Sequence, residues 1–236
     1  MTEMLFREDA YLQEAPARVV AHVEGGLVLD RSIFYPQGGG QPGDTGWVLF
    51  EGNDAPVSNA VKGEGDQIVL QMQGALPPVG AAVTQRLDWP RRLAHMRVHT
   101  GLHLLSVVIP LPVTGGAISA VKGRLDFNMP EALEDKEGLE ARLNDLIARD
   151  LPVGEEWITD AELAANPGLV KTMSVKPPTG AGRVRLVRIG ACEAQVDLQP
   201  CGGTHVRSTG EIGRVTLGKV EKKGAQNRRV NMLLAG

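Results

Sequence analysis

Cysteine is nearly absent from these 236 residues: Cys192 and Cys201 are the only two. Two thiols cannot build a disulfide framework, so each is left to be a metal ligand, a reactive group or a small buried side chain. Long apolar runs are missing too. None approaches the roughly 20 residues that span a bilayer, and the start, MTEMLFREDAYLQEAPARVV, lacks the basic, apolar and small-residue zones of a secretory leader. A cytoplasmic protein without a membrane partner is expected. No internal repeat or low-complexity tract is visible, and no Ser-His-Asp arrangement is evident. An excess of positive charge is also lacking, since the formal net charge is -3.

That sum hides an asymmetry. Residues 1–88 hold five Lys/Arg against twelve Asp/Glu, a net of -7. Residues 201–236 hold Arg207, Arg214, Lys219, Lys222, Lys223, Arg228 and Arg229 against Glu211 and Glu221, a net of +5. Where charge lies, more than its total, decides whether a polyanion docks. The C-terminal stretch is therefore a candidate phosphate-binding face, with a merely solvated hairpin as the alternative.

What is present is 42% hydrophobic residues, over a length that allows one large domain or two modest ones, each able to bury a core. The first 88 residues are dense in glycine and proline. They break into short β-rich runs at Arg18–Val23, Leu27–Tyr35, Trp47–Phe50, Gln67–Met72 and Val83–Leu87, with Gly25-Gly26 as a hairpin signal. Such spacing predicts a small antiparallel β-barrel. From Pro90 the texture changes. The run Arg91–Ile109 reads as one helix, started by Pro90 and stopped by Pro110. A second helix is predicted over Pro130–Arg149, from Leu139, Leu143, Leu146 and Ile147 on one face, and a short one over Ala161–Ala165. Strand-like runs at Gly123–Phe127, Glu156–Thr159, Val184–Ile189, Gly213–Glu221 and Arg229–Leu234 make the remainder α+β. The boundary falls near Asp88, giving domains 1–88 and 89–236.

His95, His99 and His103 recur every four residues on the first helix, so neighbouring imidazoles stack on one face and either adjacent pair can hold a metal. A second pair, Cys201 and His205, frames Cys201-Gly202-Gly203-Thr204-His205, whose glycines argue for a tight loop with both side chains turned inward. Nitrogen and sulfur donors in this number suit zinc, where calcium and magnesium require oxygen. Spacing alone does not choose between His95 and its neighbours.

Taken together, FYPQGGGQPGDTG (34–46), MRVHTGLHLL (96–105), CGGTHV (201–206) and STGEIGRVTLGKVEKKGAQNRR (208–229) resemble the signatures of the free-standing alanyl-tRNA editing proteins, the AlaX family, relatives of the editing domain of alanyl-tRNA synthetase. The resemblance reaches from about Ala17 to the C-terminus and is to the longer members that carry a glycine-rich N-terminal motif. It implies a β-barrel followed by an α+β editing domain of the kind shared with threonyl-tRNA synthetase. It also implies one zinc ion on His99, His103, Cys201 and His205, with His95 left out, and a protein that acts in trans. The helix motif departs from the family at Gly101, where alanine is more usual, at a helix cost of up to about 1 kcal/mol.

The reaction so implied is hydrolysis of the ester joining a wrong amino acid, serine or glycine, to alanine tRNA. Such an ester is already reactive, so positioning and oxyanion stabilisation suffice. Zinc can polarise the carbonyl, acidify a bound water or only orient the substrate, and a shell of four protein ligands must lose one, Cys201 being the candidate, before it can bind water. Thr100 and Thr204 are candidate contacts to a small polar substrate, or else bond the backbone. Gln41 and the glycines Gly38, Gly39 and Gly40 are expected to form both a tight turn and, by the resemblance, the loop that recognises serine. Lys222, Lys223 and Arg228, with Lys219 and Arg229, are expected to track the tRNA backbone, and Arg91, Arg92 and Arg97 to take its acceptor end. Two other readings compete: a zinc-stabilised RNA-binding module without catalysis, and a deacylase for a different aminoacyl-tRNA.

Overall fold

The computed structural model describes residues 1–173 and 182–235. They fall into two compact units, Met1–Ala94 and the residues from His95 onward. No helix among the described residues is long and apolar enough to cross a membrane.

In the first unit the strands are β1 (Glu3–Met4), β2 (Glu14–Val23), β3 (Gly26–Leu29), β4 (Arg31–Ser32), β5 (Gly46–Phe50), β6 (Asn53–Lys62), β7 (Ile68–Met72) and β8 (Ala82–Leu87). Six of them close an antiparallel barrel in the order β2-β3-β7-β6-β5-β8. Closure removes free strand edges. Alternation builds the interior: Ala15, Ala17 and Val19 of β2 point inward to Leu27, Leu70 and Val83, while the residues between them face solvent. The Gly25-Gly26 hairpin is found where the sequence predicts it, Val23 pairing with Gly26. β6 was not predicted, because its Asn53-Asp-Ala-Pro start carries almost no apolar signal; cross-strand pairing with β5 and β7 holds it instead.

Helix α1 (Trp89–Val108) begins at the end of this unit. Asp88 caps it, its carboxylate accepting from the Arg91 amide at 3.3 Å and its carbonyl from the Arg92 amide at 3.0 Å. Beyond it the second unit contains β9 (Val113–Ile118), β10 (Lys122–Asn128), α2 (Lys136–Ala148), β11 (Val153–Thr159), α3 (Asp160–Ala165), β12 (Arg183–Ile189), β13 (Asp197–Pro200), β14 (Val215–Lys222) and β15 (Asn227–Leu234). These strands make a four-stranded sheet, β14-β15-β10-β9, and a three-stranded sheet, β11-β12-β13, both antiparallel. α2 starts six residues later than Pro130, because Asp135, whose side chain accepts from the Gly138 amide at 2.8 Å, supplies the N-cap. β9 and β13 were missed, the first because Gly115 and Gly116 dilute its pattern, the second because it is short and holds buried polar residues.

Two glycines let α1 lie close to the four-stranded sheet. A methyl on Gly123 of β10 would meet Val98 Cγ1 at 2.6 Å and Leu102 Cδ1 at 2.8 Å. One on Gly101 would meet Met232 Cε at 2.6 Å, so glycine in the helix motif makes room for the buried Met232 of β15.

Candidate metal centre

Four side chains converge in the second unit. His99 and His103, one turn apart on α1, meet Cys201 and His205 from the loop after β13, and the nearest ligand atoms of all four lie within 4.8 Å of one another. Cys201 Sγ is 3.5 Å from His99 Nε2 and 3.3 Å from His205 Nε2. Zinc with Zn–N of about 2.0 Å and Zn–S of about 2.3 Å separates neighbouring tetrahedral ligands by about 3.3–3.6 Å. Both the spacing and the donor types therefore fit a zinc ion. His95, equally placed by spacing, is buried but lies outside this cluster.

The nitrogens turned away from the centre are held by the protein. His103 Nδ1 lies 3.0 Å from Asp197 Oδ2. A carboxylate only accepts, so Nδ1 carries the hydrogen and Nε2 is left for a metal. Asp197, fully buried, also accepts from Gln199 Nε2 at 2.7 Å and pairs with Lys171. His205 Nδ1 lies 3.1 Å from Thr100 Oγ1. That hydroxyl gives its single hydrogen to the Met96 carbonyl at 2.9 Å, so it accepts from His205 and from the Val206 amide. Thr100 Oγ1 thus orients His205 from within the protein. Thr204 is buried in the same loop.

Arg185 on β12 staples that loop. It donates to the carbonyls of Cys201 and Gly203, each at 2.9 Å, and is itself paired with Glu155. The Cys201 amide in turn donates to the Arg185 carbonyl at 3.1 Å. Asp197, Gln199 and Arg185 escaped the sequence reading. The available signal was faint: polar residues at alternate positions of a strand directly before the cysteine.

The electrostatics suit a cation. Burial opposes ionisation of the Cys201 thiol, but His99 and His205 beside it bring it well below the ordinary thiol value. Burial would lower the His103 imidazole, yet the Asp197 hydrogen bond and the Cys201 sulfur prevail and raise it to about 9. Burial, with His99 facing it, holds His205 down to about 3. Burial would raise Asp197, but His103 and Lys171 outweigh it and hold it to about 2.

The glycine-rich loop belongs to the first unit. Gly38 and Gln41 exchange both backbone hydrogen bonds, at 3.1 and 3.0 Å, around Gly39 and Gly40. Both central glycines have positive φ, 57° and 83°, the pattern of a type I′ turn. Tyr35 donates its hydroxyl to the Gly38 carbonyl at 2.9 Å, and Gln41 is buried. Arg92 was expected to reach a ligand; instead it is fully buried, paired with Asp44 and donating to the carbonyls of Ile33 and Ala10. Asp44 also accepts from the Tyr35 amide at 2.6 Å, so this ion pair fixes the base of the glycine loop.

Among the basic candidates, Lys219, Lys222 and Lys223 on the β14–β15 hairpin are exposed, Lys223 within 2.8 Å of Glu221. Arg228 braces the hairpin through the carbonyls of Glu131 and Pro130, and Arg229 is bidentate on Asp126. Arg97 donates to the Ile212 carbonyl at 2.9 Å.

Residues 184–231 match the family described as threonyl and alanyl tRNA synthetase second additional domain, and residues 6–91 match class II (A) tRNA synthetases. The chain is 37% identical to alanine–tRNA ligase of Pyrobaculum neutrophilum across 94% of its own length, and spans only 25% of that relative. It is 35% identical to the alanyl-tRNA editing protein AlaX-L of Pyrococcus horikoshii, spanning 57% of it. It is 34% identical to AlaX-M of Saccharolobus solfataricus, with 98% of both chains covered.

Proposed function

This chain belongs to the AlaX family of alanyl-tRNA editing proteins, and from that premise we propose that it is a zinc-dependent hydrolase that clears serine, and glycine as a lesser substrate, from mischarged alanine tRNA. The observation that carries the reading is the convergence of His99, His103, Cys201 and His205, with the outer nitrogens of two imidazoles already committed to Asp197 and Thr100.

Zinc held by these four side chains would supply a Lewis acid and a fixed positive charge beside the ester. The protein's own part is orientation. Asp197 keeps Nε2 of His103 turned to the centre, Thr100 does the same for His205, and Arg185 fixes the loop that presents Cys201. Cys201 is the ligand placed to yield, being on a glycine-flanked loop and partly exposed. Thr204 is assigned to the substrate side of that loop. The stiff turn of Gly38, Gly39 and Gly40, with Gln41, is assigned to recognition of the aminoacyl group. Lys222 and Lys223 take phosphates, Arg97 orders the segment after the metal loop, and Arg228 holds the hairpin in shape.

A second reading is supported by the donor count. Four protein ligands close a zinc shell, as in purely structural sites, and on that reading the protein binds RNA without catalysis. Alanine tRNA charged with serine, glycine or alanine separates the two. The editing reading expects rapid release of serine and sparing of alanine; equal rates on serine and alanine, or none, would overturn it.

A further inference from the structure

Among the described residues, the sheet that carries Asp197 has an uncovered margin. Across β11-β12-β13, Trp157 stands opposite Arg185, Glu155 opposite Val187, and Val187 opposite Gln199. Residues directly opposite share a face, so Trp157, Glu155, Arg185, Gln199 and Asp197 all project from the same side. α1 covers the β13 part of that side through His103 and Ser106, which meet Asp197 and Gln199. The other side is closed by Ile158, Val184 and Leu186 packed on Leu163.

β11 is the outer strand, and Trp157 is left 42% exposed there, with the Arg183 guanidinium 6.0 Å from its ring centre. An isolated exposed apolar side chain is ordinary; this one has a particular address. Its cross-strand partner Arg185 accepts the Cys201 amide and grips the carbonyls of Cys201 and Gly203. Trp157 is therefore two strand spacings, about 10 Å, from the metal loop. A ribose and its base bridge such a gap when the ester on that ribose lies at the cluster. A flat indole with a cation beside it is what an unpaired nucleobase and its phosphate require.

We propose that Trp157, with Arg183 over one face of its ring, offers its other face as the stacking platform for the terminal nucleobase of the RNA acceptor strand. The assignment rests on the editing reading and adds to it the contact that holds the nucleotide rather than the amino acid. Stacking strengthens binding of ground state and transition state alike, so its loss appears in KM.

The test uses Trp157→Ala and Trp157→Phe in the zinc-loaded protein, with deacylation kinetics and, separately, quenching of tryptophan fluorescence by a short RNA ending in CCA. Trp157→Ala is expected to raise KM roughly ten-fold with kcat nearly unchanged, and Trp157→Phe to retain most of the affinity, in line with base–aromatic stacking. The RNA should quench the unaltered protein and lose that part of the quenching in Trp157→Phe, where Trp47 and Trp89 remain. Unchanged KM in Trp157→Ala, or equal quenching in Trp157→Phe, overturns the proposal while leaving editing intact. So does a dimer that dissociates on Trp157→Ala, which would mean that a second copy covers the ledge. If no aminoacyl-tRNA is hydrolysed, the editing reading falls, and the quenching still decides whether Trp157 stacks.

Discussion

Asp197 meets no ligand atom at the centre of the cluster, yet it fixes which nitrogen of His103 faces inward. Carboxylates behind metal-bound histidines raise ligand basicity and freeze ring orientation, and their loss costs about 10–100-fold in metal affinity. Asp197→Asn is accordingly expected to weaken zinc binding about ten-fold, and Asp197→Ala more, in competition with a chromophoric chelator. Zinc affinity unchanged in both variants would remove Asp197 from the site. The four clustered side chains were legible because HxxxH on a helix and CGGTH in a loop are compact patterns. His95 could not be excluded by spacing, since an i, i+4, i+8 ladder offers two equivalent pairs; only packing of the helix separates them. Asp197 was illegible for the opposite reason, as its partner is 94 residues away and nothing local marks a strand aspartate as anything but solvated.

At the scale of elements, the cluster depends on how closely α1 approaches its sheet. Gly123→Ala places a methyl against Val98 and Leu102, both buried, and overpacking of this kind costs about 1–3 kcal/mol. Chemical denaturation should show that loss, with zinc affinity falling alongside; a neutral effect would mean that α1 shifts freely. The hairpin offers a second test. Asp126 on β10 is bonded to Arg229 on β15 and to Arg124; its partial burial would raise the carboxyl, but these two guanidiniums hold it below its ordinary value. A depressed carboxylate contributes stability that is present above its unfolded value and lost as pH falls through the folded one. Between about pH 5 and pH 3, the unaltered protein should therefore lose more stability than Asp126→Asn. Parallel pH profiles for the two proteins would dismiss the pair. Strands with alternating or β-branched residues could be read from sequence, whereas β6, β9 and β13, which carry polar residues or glycine in place of a clear alternation, are held by backbone pairing with the strands next to them in the chain, and α2 took its start from a cap rather than from the first proline.

For the whole molecule, the chain consists of an acidic barrel unit with a stiff glycine turn and a unit that contains the His99, His103, Cys201 and His205 cluster and a basic hairpin. The barrel and the α+β second part were legible because the glycine-rich, short-strand texture gives way abruptly at Pro90. The compact units divide at Ala94, inside the helix that follows, since the first turns of that helix are anchored by Asp88 and Arg92 to barrel-unit residues. The central claim is that hydrolysis depends on a metal at these four residues. It is tested most directly by stripping the protein of metal, titrating zinc back, and following serine release from alanine tRNA alongside circular dichroism. The account predicts activity that rises with zinc and saturates at one equivalent per chain. Full activity in stripped, still-folded protein would contradict it.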